Sequence, residues 1–188
     1  MNESKTMLDY IKKFKSLIRG SYINKANELD ENKGVFLKEI TFEVKANQED
    51  LDTFPNGLIP WISIESPEDE LARLRKKNEV VLNYKSIYIV IDYPLKKPTV
   101  FEINNSRLLR SDLINRISKI YHNIYQEEED TSSIKTIPVM ERGKLKNRNE
   151  TNGKYGIWGH DLRDLDLGSV NVVKKKNGEI YLYLNIES

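Results

Sequence analysis

The chain contains no cysteine, which excludes disulfides, thiolate metal sites and a cysteine nucleophile and leaves the redox compartment open. Histidine is nearly as scarce, with only His122 and His160 among 188 residues. Neither sign of charge is in excess: 30 basic side chains face 29 acidic ones, so the global field gives no reason to expect nucleic acid or an acidic membrane as partner. Apolar runs are only a few residues long, and the first residues are charged from Glu3 onward. Neither a transmembrane helix nor a secretory leader is therefore expected, and a cytoplasmic setting is the default. With 38% apolar and 31% charged residues, the composition is that of a single globular domain over 1–188. A chain of this length buries roughly two thirds of its unfolded surface.

Periodicity supplies the expected elements. Met7, Ile11, Phe14 and Ile18 recur at helical spacing among lysines, which predicts an amphipathic first helix ending by Gly20. Val35, Leu37, Ile40, Phe42 and Val44 nearly alternate, which predicts a strand with a bulge near Lys38 and Glu39. Leu58 to Ile64, around Pro60, reads as an edge strand. Ser66-Pro67-Glu68-Asp69 is a helix start, and a helix is expected to Lys77. Val80 to Asp92 reads as a hairpin turning near Lys85, and Thr99 to Ile103 as a further strand. Leu113, Ile117, Ile120, Tyr121 and Ile124 predict a long helix after a Ser111 cap, running into Glu127, Glu128, Glu129 and Asp130. A polar connection with Lys144, Lys146 and Arg148 follows. The Asn177-Gly178 pair predicts a closing hairpin of Ser169 to Val173 and Glu179 to Ile186. The expected fold is α+β: a mostly antiparallel sheet with the N-terminal and central helices packed on one face, and a C-terminal β-hairpin.

The segment Asn152 to Gly168 carries four of the nine glycines, one of the two tryptophans and one of the two histidines. Such crowding predicts a tight turn set against an apolar surface, with Trp158 and Tyr155 as its anchors and burial of Trp158 favoured. His160, Asp161, Asp164 and Asp166, with Glu127 to Glu129, are the residues of the right types for metal binding or acid–base chemistry. Their spacing matches no established motif. A structural reading stands beside that one: an aspartate caps a short turn and His160 bonds to backbone. A binding surface is the third. Glu43 and Lys45 form an acid-x-Lys pair found in some metal-dependent nucleases, yet strand alternation produces such pairs by chance. His122, beside the apolar stripe of the long helix, reads as structural. No serine sits in a nucleophile elbow, and Gly153, Gly156 and Gly159, spaced by three, match neither dinucleotide nor phosphate-binding loops.

Tyr93-Pro94-Leu95-Lys96-Lys97-Pro98, placed between two strands and ahead of a long helix, resembles the turn of RWD domains and their relatives, the ubiquitin-conjugating enzymes. The resemblance implies a core over 1–130 with 131–188 appended, and a protein-binding surface that includes Tyr93 and Pro94. Conjugating activity is excluded because no cysteine can form the thioester. A second resemblance joins Ile124 to Glu129 and Asn152 to Leu165. Together these words are similar to a group of uncharacterised proteins with an IYxEE and YGIWGHD pairing, and imply only that helix end and glycine-rich turn belong to one unit. The leading expectation is a non-enzymatic protein interaction or structural module that needs no cofactor and takes another protein as partner. Its binding residues are Tyr93, Pro94, Tyr155, Trp158, His160 and Asp161. The alternative is a metal-dependent, nuclease-like hydrolase using His160, Asp161 and Asp164 with help from Glu128.

Overall fold

A computed structural model describes residues 34–104, 107–144 and 146–188. The expected first helix, from Met7 to Ile18, lies outside the described residues. The central sheet holds β1 (Val35–Thr41), β9 (Asp166–Lys174), β10 (Ile180–Glu187), β6 (Ser86–Ile91) and β7 (Thr99–Asn104) in that order, with β4 (Ile62–Ser63) paired to the start of β9. Two small ribbons complete the strands: β2 (Val44–Lys45) with β3 (Leu58–Ile59), and β5 (Val80–Leu82) with β8 (Leu108–Leu109). The described residues hold one α-helix, α1 (Arg110–Thr131), of 22 residues.

This arrangement overturns the expected α+β architecture of a mostly antiparallel sheet with two helices on one face. The sheet is mixed, because β6 and β10 run parallel from Ile87↔Ile180 to Val90↔Tyr183. Strand residues outnumber α-helical ones among the described residues. The helix from Pro67 to Lys77 is also absent. A single 3-10 turn over Pro67–Asp69 gives way to extended pairing, in which Lys45 donates to the Arg73 carbonyl at 3.1 Å and Arg75 to that of Glu43 at 2.9 Å. Pairing with another chain segment here outweighs a favourable start signal. Nor do Val80 to Leu82 turn back on β6: β5 pairs with β8, and the Glu79 carbonyl accepts the Arg110 N–H at 3.0 Å.

Alternation explains the central strands, since Ile87, Ile89 and Ile91 of β6 and Ile180, Leu182 and Leu184 of β10 all turn inward. On α1 the fully buried positions Leu113, Ile114, Ile117, Tyr121 and Ile124 follow the helical period and join the same core. The register of β1 shifts between Phe36 and Lys38, so the near-alternation of that segment resolves as a bulge. β9 and β10 meet at the Asn177-Gly178 turn, where Gly178 takes a φ of 88° that a side chain would resist. No helix among the described residues is long and apolar enough to cross a membrane.

Candidate functional site

Four acids in the last turns of α1 stand against the helix dipole, whose C-terminal end disfavours negative charge. One of them, Glu128, is 0% exposed. A carboxylate so placed requires donors, and the glycine-rich segment supplies them: the backbone N–H of Gly153 donates to Oε1 at 2.8 Å, and those of Tyr155 and Gly156 to Oε2 at 2.7 and 3.0 Å. Burial alone raises the pKa of Glu128. The Thr151 hydroxyl and the three backbone bonds outweigh it, and the net shift is downward. Gly153 has no room for a side chain, since a Cβ there would stand 2.7 Å from the Glu128 carbonyl.

The neighbouring acid finishes the joint. Glu127 accepts the Tyr155 hydroxyl and, at 2.7 Å, the Lys154 ammonium. Thr131 accepts the Lys154 N–H at 2.9 Å, and Asn152 draws in Ser132, Ser133 and Ile134. Tyr155 is therefore buried beneath the surface, where its ring joins the core. The helix end and the glycine-rich turn form one hydrogen-bonded unit, with Glu128 as its centre.

The same turn pairs with the proline-bounded segment. Lys96 and Lys97 donate to the carbonyls of Gly156 and Tyr155 at 3.0 Å each, and Trp158 donates to that of Pro94 at 3.2 Å. Gly156 and Gly159 take φ values of 67° and 75°, which fold the turn back on itself. From below, α1 pins both strips of chain: Tyr121 donates to the Tyr93 carbonyl at 2.8 Å and Tyr125 to that of His160 at 2.9 Å.

Trp158 reverses the burial expectation. It is 39% exposed, although Ile157 beside it is fully buried. The alternation of an extended strip decides this, because Ile157 faces the core and its neighbour must face outward. The indole lies edge-on to Tyr93 with centroids 5.5 Å apart, and the His160 ring is 5.5 Å from Tyr93 and 6.0 Å from Trp158. Tyr93, Trp158 and His160, three of the residues singled out in the sequence, thus form one aromatic cluster at the surface.

The carboxylates do not converge. Both oxygens of Asp161 face Arg142, at 2.5 and 2.9 Å, and Arg148 lies 3.8 Å away. Burial works against ionisation of Asp161, but Arg142 first, then Arg148 and Arg163, hold its carboxyl below the usual range. Asp164 closes the 3-10 turn over Leu162–Asp164 by accepting the Asp161 N–H at 2.9 Å. His122 bonds to the Glu65 carbonyl at 2.8 Å, and Glu43 pairs with Arg75 at 2.7 Å. Among the described residues no group of three or more histidine or acidic side chains is placed to hold a metal ion. Sequence reading missed Arg142 and the structural weight of Arg148. Two arginines in an aperiodic polar connection give no signal, whereas a run of acids at the wrong end of a helix dipole does.

Asp166 is carried away to the start of β9, half-buried near Glu70 and Glu187. Burial first, and then those two charges, push its carboxyl up to about 6. Because the folded pKa exceeds the unfolded value, this group favours folding at low pH and loses that contribution between about pH 4 and 6. Asp166→Asn is expected to stabilise the protein at neutral pH by about 1 kcal/mol, after discounting the shift for solvent screening. Urea denaturation of both proteins should show the gain disappearing below about pH 4.

A scan against protein-family models, a search of curated proteins and a search of solved structures each find no match to this chain.

Proposed function

We propose that the protein is a non-enzymatic interaction module that binds another protein through Trp158, Tyr93 and His160. The observation that carries this reading is the 39% exposure of Trp158 on a turn whose other apolar residues, Tyr155, Ile157 and Leu162, are buried. Indole and phenol rings held rigid at a surface give large contact area at little entropic cost, and interface energy concentrates in such residues. Rigidity comes from beneath, through the Glu128 carboxylate and the Tyr121 and Tyr125 hydroxyls. Pro94 contributes its carbonyl to the platform, and Asp161 holds the turn through Arg142. The hydrolase alternative draws no such support, since Asp161, Asp164 and Glu128 are each engaged by different donors.

Selection of a displayed peptide library on the folded protein tests this reading. Selected peptides should shift Trp158 emission in a Trp61→Phe background and lose at least about tenfold in affinity on Trp158→Ala, a loss of about 1.4 kcal/mol or more. Trp158→Ala should leave the thermal midpoint nearly unchanged, because the ring is at the surface. Peptides that bind Trp158→Ala as tightly as the parent would overturn the assignment, as would a collapse of the fold.

A further inference from the structure

A second feature lies where the end of β1, β2 and the first turn of α1 meet. A cavity of about 150 Å³ is lined there by Thr41, Glu43, Arg75, Lys76 and Arg110. Three of its five lining residues are cations, and the backbone fixes each of them. The Arg75 N–H donates to the Glu43 carbonyl at 2.9 Å, and Lys76 follows in the left-handed region with a φ of 52°. Arg110 opens α1, where its own N–H is held by the Glu79 carbonyl at 3.0 Å.

Arg110 is only 7% exposed. Its Nη1 donates to the Thr41 carbonyl and its Nη2 to Glu79 at 2.7 Å, but its Nε has no acceptor. Buried donors left without acceptors are uncommon, and each needs a reason. Charge points the same way. Glu43 balances Arg75 and Glu79 balances Arg110, each at 2.7 Å, whereas Lys76 forms no ion pair among the described residues. Lys38 adds a further cation nearby, bound to the Val81 carbonyl. The side chains of Arg75 and Glu43 are 41% and 38% exposed, so solutes reach the cavity from solvent.

We propose that this cavity binds a phosphate dianion, either free or as the end group of a small phosphomonoester, between Arg75, Lys76 and Arg110. Cations from two separate chain segments line the cavity, Arg75 and Lys76 from one and Arg110 from the other, and a tetrahedral oxyanion accepts charge-assisted bonds in several directions. The volume lies well below the roughly 300 to 1,000 Å³ of pockets that enclose a whole drug-sized ligand. An end group fits that scale, and a complete nucleotide does not. Glu43 would stay on Arg75 and hold its guanidinium in place, a positioning role without nuclease chemistry.

Titration calorimetry on the full chain at low ionic strength tests the site with inorganic phosphate and with glycerol phosphate, and sodium chloride serves as the ionic-strength control. Phosphate should bind and raise the thermal midpoint, whereas chloride should do neither. Lys76→Gly and Arg75→Gln should each weaken binding by about tenfold, the loss of one charge-assisted contact. Glycine adopts the left-handed backbone freely, so Lys76→Gly should fold at least as well as the parent. Comparable affinities for the two ligands identify a phosphomonoester end group, and binding of inorganic phosphate alone identifies the free anion. Absence of heat and of a midpoint shift with both ligands would overturn the proposal. So would unchanged affinity in both variants.

Discussion

Glu128→Ala should destabilise the fold by about 3 to 5 kcal/mol, the range for removing one partner from a buried charged network. The reason is the number of groups left behind. Gly153, Tyr155 and Gly156 each direct a backbone N–H at this one carboxylate, at 2.7 to 3.0 Å, in a region closed to water. Truncation leaves three donors unsatisfied and opens a cavity beneath the turn. Glu128→Gln should cost less, about 1 to 3 kcal/mol, because its oxygen serves Tyr155 and Gly156 while its amide faces the Gly153 N–H. Urea denaturation of the three proteins gives the ordering directly. The pH dependence carries a definite sign as well. Because the folded pKa of Glu128 is lowered, its contribution is complete above the unfolded value and is lost as pH falls through the folded one.

Asp161→Ala is expected to cost a similar about 3 to 5 kcal/mol, through charge rather than backbone bonding. The side chains of Arg142 and Arg148 are 5% and 6% exposed, and Asp161 is the carboxylate that both approach. Without it, two guanidiniums remain buried, and Arg148 already has Nε and Nη2 without acceptors. The stacking of Arg148 over the Tyr125 ring, 5.3 Å from its centroid, does not replace a counter-charge. An aspartate kept for metal binding alone would behave in the opposite way, since its removal would leave the metal-free protein as stable as before. Thermal denaturation of Asp161→Ala in the presence of a chelator separates the two cases.

The parts of the fold that sequence reading recovers are those set by local signals. The stripe Leu113, Ile117, Tyr121 and Ile124 is buried along α1, because a 3.6-residue period leaves one face for the core. The turn at Asn177-Gly178 joins β9 and β10, because few other residues accept the backbone it requires. What escapes is non-local. The parallel pairing of β6 with β10 joins residues more than ninety positions apart, such as Ile87 and Ile180, and no period in either strand records its partner. The start signal at Ser66 to Asp69 gives only one 3-10 turn, because Arg73 and Arg75 pair with β2.

The site divides along the same line. Gly156 and Gly159 announce a special turn because their backbone demands it, and Glu127 and Glu128 stand out at the wrong end of a dipole. The N–H groups of Gly153, Tyr155 and Gly156 join these two features through the Glu128 carboxylate. The exposure of Trp158 was not legible, because hydrophobicity alone says bury and only the register of Ile157 against Leu95 turns the indole outward.

A turn clamped by one buried carboxylate presents Trp158 to solvent. Amide hydrogen exchange of Gly153, Tyr155 and Gly156 measures the clamp residue by residue. In the parent protein these three amides should exchange as slowly as those in the middle of α1, and in Glu128→Gln the Gly153 amide, left facing the side-chain amide, should lose more protection than those of Tyr155 and Gly156. Free-loop exchange rates at these amides in the folded parent protein would contradict a turn clamped by Glu128.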